Sequence, residues 1–271
     1  MTISEVSFHA LRFGRAASGY ESRAAIQARM ADALVGLWGE RANPRTILEF
    51  GCGTGLLTGR LRTRFAGASI LSTDAAHDML EAARVQFPGA AHPNFAEQDA
   101  DGIKPPAIVV AARAPYDLIA AGALVQWFPD LERHLRFASS LTASGGYYLV
   151  SGFAHKNFPE LNSILSAPPF SYTRFPGHDP EAVKKAAASS GWNVLSMLDW
   201  EEKEILPSPR QVLRMLQDLG SVRDPREGGR MNRDNLEFLL NEYGNRFADS
   251  DANGAGVRIT WRPWAALLQK V

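Results

Sequence analysis

Apolar residues at Ala24, Ala25, Ile26, Met30, Ala33, Leu34 and Leu37 recur at helical spacing, which predicts a leading helix from about Tyr20 to Trp38, ended by Gly39 and Pro44. Short apolar runs follow, bounded by turn residues. They predict strands at Thr46 to Phe50, Ser69 to Thr73, Asn94 to Gln98, Tyr116 to Ala121 and Gly146 to Gly152. Helical stretches fall between them, around Leu56 to Phe65, Met79 to Phe87 and Asp130 to Leu141. Strand and helix in alternation predict an α/β fold with a parallel, doubly wound sheet.

The pattern changes after Phe153. Pro159, Pro168, Pro169 and Pro176 forbid one continuous helix across Ala154 to His178, so this stretch reads as a lid, with a short helix over Glu160 to Leu165. Asp179-Pro180-Glu181 carries an N-cap residue, a first-turn proline and an early acid, which predicts a new helix. Beyond it we expect a strand from Trp192 to Ile205, a helix from Pro207 to Leu219, a polar loop at Arg223 to Gly229, and a helix from Asn232 to Tyr243. A mobile turn at Asp249 to Gly256 and a final strand from Val257 to Lys270 complete the expectation. Pro263 fits a central strand poorly, so a bend or bulge is expected there.

Composition narrows the function classes. The 271 residues carry 29 basic and 29 acidic side chains, a formal net charge of zero, so no global field draws the chain to nucleic acid or membrane. One cysteine, Cys52, excludes an internal disulfide framework and a cysteine-built zinc site. The six histidines show no metal-ligand spacing. The first residues lack a basic and apolar leader pattern, and no run of about 18 apolar residues occurs, so a cytoplasmic protein with no metal is expected.

The chemistry concentrates at Glu49-Phe50-Gly51-Cys52-Gly53-Thr54-Gly55, a buried strand running into a glycine turn that opens a helix. Gly51, Gly53 and Gly55 let the backbone approach a ligand closely, while Glu49 and Asp74 place carboxylates beside it. A pyrophosphate would be repelled by those acids. The third glycine also comes one residue early for a dinucleotide fingerprint, with Leu56 in the expected slot. S-adenosyl-L-methionine is therefore the expected cofactor. Cys52, between two glycines, reads as packing rather than as a nucleophile.

The stretch resembles the class I methyltransferases, and longer motifs narrow the resemblance. Leu11-Arg12-Phe13-Gly14-Arg15-Ala16-Ala17-Ser18-Gly19-Tyr20, Leu124-Val125-Gln126-Trp127, Phe158-Pro159-Glu160-Leu161, Thr173-Arg174-Phe175, Met215 to Gly220 and Ile259-Thr260-Trp261 together are similar to the biotin-pathway malonyl-acyl carrier protein O-methyltransferases. The resemblance spans almost the whole chain. It implies a mostly parallel, seven-stranded, Rossmann-like sheet with a helical and irregular lid insertion. It also implies a single domain over 1–271: cap segment and helix 1–44, cofactor core 45–153, lid 154–178, and substrate- and carrier-binding elements 179–271.

The resemblance further implies that Asp74 holds the cofactor ribose and that Asp99, with Ala100 beside it, reads the adenine. Cys52 and Met79 would line the cofactor, and Phe13 and Tyr20 would close over it. Gln126, Trp127 and Arg174 would meet the substrate, Arg174 as a bidentate clamp on a carboxylate. The implied substrate is malonyl-acyl carrier protein or malonyl-CoA. Two departures bear on the acyl group: Lys156-Asn157 stand where smaller residues are common, and Trp261-Arg262-Pro263-Trp264 where an aromatic-histidine pair is frequent. Methylation of another small acid or hydroxyl compound, and a non-catalytic cofactor-binding module, stay open. Nucleic-acid methylation is disfavoured, because Ala121-Gly122-Ala123-Leu124 stands where a base-amino methyltransferase carries a polar residue followed by two prolines.

Overall fold

The computed structural model describes residues 25–87, 94–97, 110, 113–170, 177–218, 232–251 and 254–271. Its elements in chain order are α1 (Ala25–Gly36), β1 (Thr46–Phe50), α2 (Leu56–Arg64), β2 (Ser69–Asp74), α3 (His77–Gln86), β3 (Asn94–Glu97) and β4 (Tyr116–Ala121). Then come α4 (Leu131–Leu141), β5 (Thr142–Phe153), α5 (Pro159–Leu165), α6 (Pro180–Ser189), β6 (Trp192–Asp199), β7 (Glu202–Leu206) and α7 (Pro209–Asp218). The chain closes with α8 (Arg233–Phe247), β8 (Ala248–Asp251), β9 (Gly254–Trp261) and β10 (Pro263–Lys270).

A seven-stranded sheet in the order β3-β2-β1-β4-β5-β10-β6 forms the centre. Every strand runs parallel except β10, which is antiparallel to both β5 and β6. β1 pairs with β2 on one side and β4 on the other, so strand order reverses there and a crevice opens at the carboxyl ends. Alternate residues of each strand feed opposite layers. Leu48, Phe50, Ile119, Tyr148, Val150 and Trp264 meet α4 and α6 on one face. Ile47, Leu118, Leu149, Ala265 and Leu267 meet α1 and α2 on the other. The α4 stripe Leu131, His134, Leu135, Ala138 and Leu141 shows the spacing that this burial requires, and the Asp130 side chain caps the helix by accepting from Arg133 N.

A second, three-stranded antiparallel sheet, β7-β9-β8, corrects three expectations. The stretch from Trp192 to Ile205 is two strands, not one, because the chain leaves the central sheet at Trp200 and Glu201. The final strand likewise divides at Arg262. Its backbone N donates to Asn157 Oδ1 and its carbonyl accepts from Ala154 N, so Arg262 pairs with neither sheet, and Pro263 starts β10 where a missing N–H is tolerated. The expected mobile turn at Asp249 to Gly256 instead holds paired strand ends, with Ser250 opposite Ala255 and Asp251 opposite Gly254.

The small sheet shares an apolar cluster with the lid segment. Phe158, Leu161, Ile164 and Phe170 pack with Val212, Leu216, Leu239, Tyr243, Ile259 and Trp261, and with Ile26 and Met30 of α1. Phe153, at the carboxyl end of β5, belongs to the same cluster, and Ala123 packs against it. The cluster therefore stands over the crevice end of the central sheet. Glu160 pins α5 to β9: Oε1 accepts from Arg258 Nε at 3.1 Å and from the Thr260 hydroxyl, and Oε2 from Thr260 N at 3.1 Å. Asp179, expected as a side-chain N-cap of α6, makes no such bond and accepts from His155 N at 2.9 Å instead.

Candidate functional site

The turn after β1 is built by three glycines with different reasons to be glycine. All three have positive φ: +63° at Gly51, +54° at Gly53 and +101° at Gly55. A Cβ on Gly51 would lie 2.7 Å from Leu124 Cδ1, and one on Gly55 2.5 Å from Phe87 Cε2. One on Gly53 would meet no atom within 4 Å among the described residues, so the turn leaves open space at Gly53. Packing thus opposes side chains at Gly51 and Gly55, while at Gly53 no described residue crowds the approach to the backbone.

Asp74 ends β2 beside this turn. Its Oδ2 accepts from Gly53 N and its Oδ1 from Ala76 N, each at 2.8 Å. Each carboxylate oxygen keeps a further lone pair with which to accept a ribose hydroxyl. Burial raises the Asp74 carboxyl above its ordinary range, opposed by the backbone donors of Ala76 and Gly53. Cys52 N donates to Thr73 O, and its thiol is buried and pushed well up by desolvation, so it stays a neutral packing group.

Glu49 lies below the turn, at 0% exposure. Its Oε2 accepts from Thr58 Oγ1 and Ser72 Oγ, both at 2.6 Å, whereas Oε1 has no partner among the described residues. Desolvation, with the Asp74 carboxylate adding to it, lifts the Glu49 carboxyl from 4.5 to about 7 against those two hydroxyl donors. The Thr54 hydroxyl is also buried without a partner. Thr58 and Ser72 escaped the sequence reading. A serine inside the apolar run Ile70-Leu71-Ser72-Thr73 was the available signal, since a polar residue on a buried strand needs a partner.

The loop after β4 forms the far wall. Ala123 adopts φ +49° and its N donates to Ser151 Oγ at 3.0 Å, which throws Leu124 onto Gly51. Gln126 is 6% exposed; its Nε2 donates to Ala123 O at 2.6 Å and its Oε1 is unpartnered. Trp127 is half-buried in the same short 3-10 turn. His178 Nε2 bonds Phe128 O at 2.9 Å, and burial lowers its pKa, so the ring is neutral and serves to hold this loop. Met79 is buried in α3 behind Ala76.

The fold brings together Glu49, Gly51, Cys52, Gly53 and Asp74 around the β1 turn, with Gln126 and Trp127 on the loop after the adjoining β4. Phe13, Tyr20, Asp99, Ala100 and Arg174 lie outside the described residues. The residues present fit S-adenosyl-L-methionine: the clear space at Gly53, the spare acceptor capacity of Asp74, and the buried unpartnered acceptors Glu49 Oε1 and Thr54 Oγ1 suit a ligand rich in hydroxyl and ammonium donors. That cofactor supplies a methyl group on a sulfonium.

Comparison with known proteins agrees. The family described as "Methyltransferase domain" matches residues 22–197. Malonyl-[acyl-carrier protein] O-methyltransferase of Geobacter sulfurreducens is 28% identical over 259 residues, covering 92% of this chain and 94% of its own. The protein of the same name from Chlorobium luteolum is 27% identical over 277 residues, covering 96% and 93%. Among solved structures, a putative methyltransferase from Bacillus halodurans superposes with a TM-score of 0.57 at 14% identity, covering 89% of this chain and 98% of that one. Magnesium protoporphyrin IX methyltransferase from Synechocystis, with bound SAH, gives 0.52 at 18% identity over 67% and 80%. The two structures share the fold. The chain belongs to the methyltransferase domain family, and is a class I S-adenosylmethionine-dependent methyltransferase that resembles the malonyl-[acyl-carrier protein] O-methyltransferases.

Proposed function

We propose that the enzyme esterifies the free carboxylate of malonyl-acyl carrier protein, or of malonyl-CoA, as an opening step toward pimelate and biotin. The observation that carries this reading is the extent of the similarity. The family match stops at residue 197, but the similarity to the Geobacter sulfurreducens enzyme covers 92% of the chain, so it must run through most of the elements that build the small sheet. Those elements stand over the crevice end of the central sheet, where a substrate would enter.

The chemistry asks little acid-base work of the protein. A malonyl carboxylate is already ionised at neutral pH, given a reference carboxyl pKa of about 4. In-line methyl transfer then needs alignment and a dry path. In this reading Arg174 clamps the carboxylate, Gln126 and Trp127 line the substrate side, and Tyr20 and Phe13 close over a cofactor held by Glu49, the glycine turn, Asp74, Met79, Asp99 and Ala100.

The test is direct. Incubation with methyl-labelled cofactor and malonyl-acyl carrier protein should yield a base-labile methyl ester on the carrier. Label appearing only on other small acids, with the malonyl carrier untouched, would reject the substrate while leaving the reaction class intact.

A further inference from the structure

Glu49 has no exposed surface, and both hydroxyls that reach it, from Thr58 on α2 and Ser72 on β2, donate to the same oxygen. The other oxygen, Oε1, has no donor among the described residues. An ionised carboxylate in that position is met by hydroxyl and backbone donors but by no paired cation among the described residues, and a buried charge held by neutral donors alone is expensive. Among the described residues, the arginines of the surrounding elements are engaged elsewhere. On α2, Arg60 turns to Asp32 and to Leu56 O, Arg62 lies over the Phe87 ring, and Arg64 reaches Asn43 and Gly39 O. On β4 the paired residue is Ala120. The charged and titratable groups that act on this region are Asp74, whose negative charge opposes ionisation, the Cys52 thiol, held neutral by burial, and Arg84 on α3, whose charge reaches Cys52 while its guanidinium is paired with Glu81. Glu49 accordingly sits at about 7, where a protonated and an ionised form coexist at neutral pH.

The cofactor has a net positive charge, from a sulfonium and an ammonium set against one carboxylate. Placed in the turn directly above Glu49, that charge favours the ionised carboxyl. We propose that loading S-adenosylmethionine drives a proton off Glu49 into solvent, so that Glu49 is the group that couples cofactor affinity to pH. The proposal rests on the cofactor reading of the site and adds to it a protonation state for one residue. By linkage, affinity falls as pH drops below about 7, approaching tenfold per pH unit.

Titration calorimetry of the full chain with S-adenosylmethionine, in phosphate and in Tris, measures the protons exchanged. About half a proton should leave Glu49 per cofactor bound at pH 7 and roughly 0.9 at pH 6; the comparison is made at these two values because above them the cofactor's own ammonium, with a reference pKa of about 8, exchanges protons too. Glu49→Gln, which is permanently neutral, should release none at pH 6 and should bind with an affinity flat from about pH 6 to 7, below the range in which the cofactor's own ammonium titrates. Should that variant fail to fold, carbon NMR of labelled glutamate carboxyls in the wild-type protein reads the same event, as a Glu49 resonance titrating near 7 without cofactor and well below 6 with it. Binding heats identical in the two buffers at pH 6 and 7 would overturn the proposal, as would unchanged proton release in Glu49→Gln. Absence of binding even at pH 8.5 would instead reject the cofactor reading, and the proposal with it.

Discussion

The Asp74 carboxylate and the Gly53 amide are joined by a 2.8 Å hydrogen bond, so the residue proposed to hold the cofactor ribose also holds the turn proposed as the cofactor's floor. Its second oxygen fixes Ala76 N at the start of α3. Asp74→Ala removes both anchors together with the proposed ribose acceptor. Cofactor affinity should fall by about 1.5–3 kcal/mol, the range for bonds to a charged partner, with a drop in melting temperature. Asp74→Asn keeps one acceptor oxygen but sets an NH2 against a backbone N–H, and should lie between. Calorimetry and thermal melting check both, and an alanine variant with native affinity would remove Asp74 from the site.

The glycines of the turn should separate stability from binding. Gly55→Ala forces a Cβ into the Phe87 ring at a φ of +101°, and should cost more than 2 kcal/mol of stability. Gly53→Ala meets no neighbour and carries only the cost of a left-handed backbone, about 1 kcal/mol, yet it fills the space beside the turn. Melting should rank Gly55→Ala as the more damaging change, and calorimetry should show lost affinity in Gly53→Ala. The opposite ranking would mean that the turn relaxes around Phe87.

The core was legible because its signals are local. Ile47-Leu48 and Leu118-Ile119 are buried on both sheet faces, and such runs read as central parallel strands without knowledge of their partners. The glycine turn and Asp74 were legible for the same reason. What failed depends on distant partners. The apolar pattern continues unbroken through Trp261 and Trp264, and nothing local reveals that Trp261 packs on Phe158 in the small sheet's cluster while Trp264 packs in the central core. Asp249 to Gly256 has turn composition, but backbone pairing makes strand of residues 249–251 and 254–256. Within the site, Glu49 was chosen as a carboxylate beside the ligand. That Thr58 and Ser72 would both reach one of its oxygens, and neither the other, required the helix and the next strand to be in place.

The same carboxyl makes stability depend on pH. Below pH 4.5 Glu49 is protonated in folded and unfolded chains alike, and no penalty exists. As pH rises the unfolded chain gives up its proton first, and the folded state loses stability until about pH 7, where its own carboxyl ionises. The full loss is about 3 kcal/mol. Without cofactor, Glu49→Gln should therefore be the more stable protein at pH 8 and should lose the advantage at pH 4.5. Denaturant melts at the two pH values check the sign. Equal wild-type and variant stability at pH 8 would show that Glu49 ionises freely.

Glu160 tests how firmly α5 is held to β9. It is buried and answers the Arg258 guanidinium, the Thr260 hydroxyl and Thr260 N together. Glu160→Ala leaves the buried Thr260 N and hydroxyl without their acceptor, while the partly exposed Arg258 keeps Asp249, so the loss should be about 1–3 kcal/mol. Glu160→Gln, which keeps the oxygen, should cost less. Protease digestion should then cut first near residues 158–170 in the alanine variant. An alanine variant with native melting and digestion would mean that apolar packing alone fastens the segment.

Arg174 carries the substrate assignment. It stands beside Phe175 in the lid stretch and matches the arginine-phenylalanine pair of the resembled family. A clamp on a malonyl carboxylate has two requirements, a positive charge and a planar pair of donors, and the substitutions separate them. Arg174→Ala removes both, whereas Arg174→Lys keeps the charge alone. Each should lower kcat/KM for malonyl thioesters, the alanine variant more, within a range of about tenfold to a thousandfold for roughly 1.4–4 kcal/mol of lost transition-state interaction. Cofactor affinity should hardly change, because the clamp acts on the other substrate. The decisive comparison adds a malonyl thioester already esterified at its distal carboxyl, as a competitive inhibitor. The wild-type enzyme should prefer the free acid, and Arg174→Ala should bind acid and ester about equally. Wild-type turnover in Arg174→Ala, or in the charge-reversed Arg174→Glu, would reject the clamp and move the search for the carboxylate's partner to other cations of the lid and the small sheet.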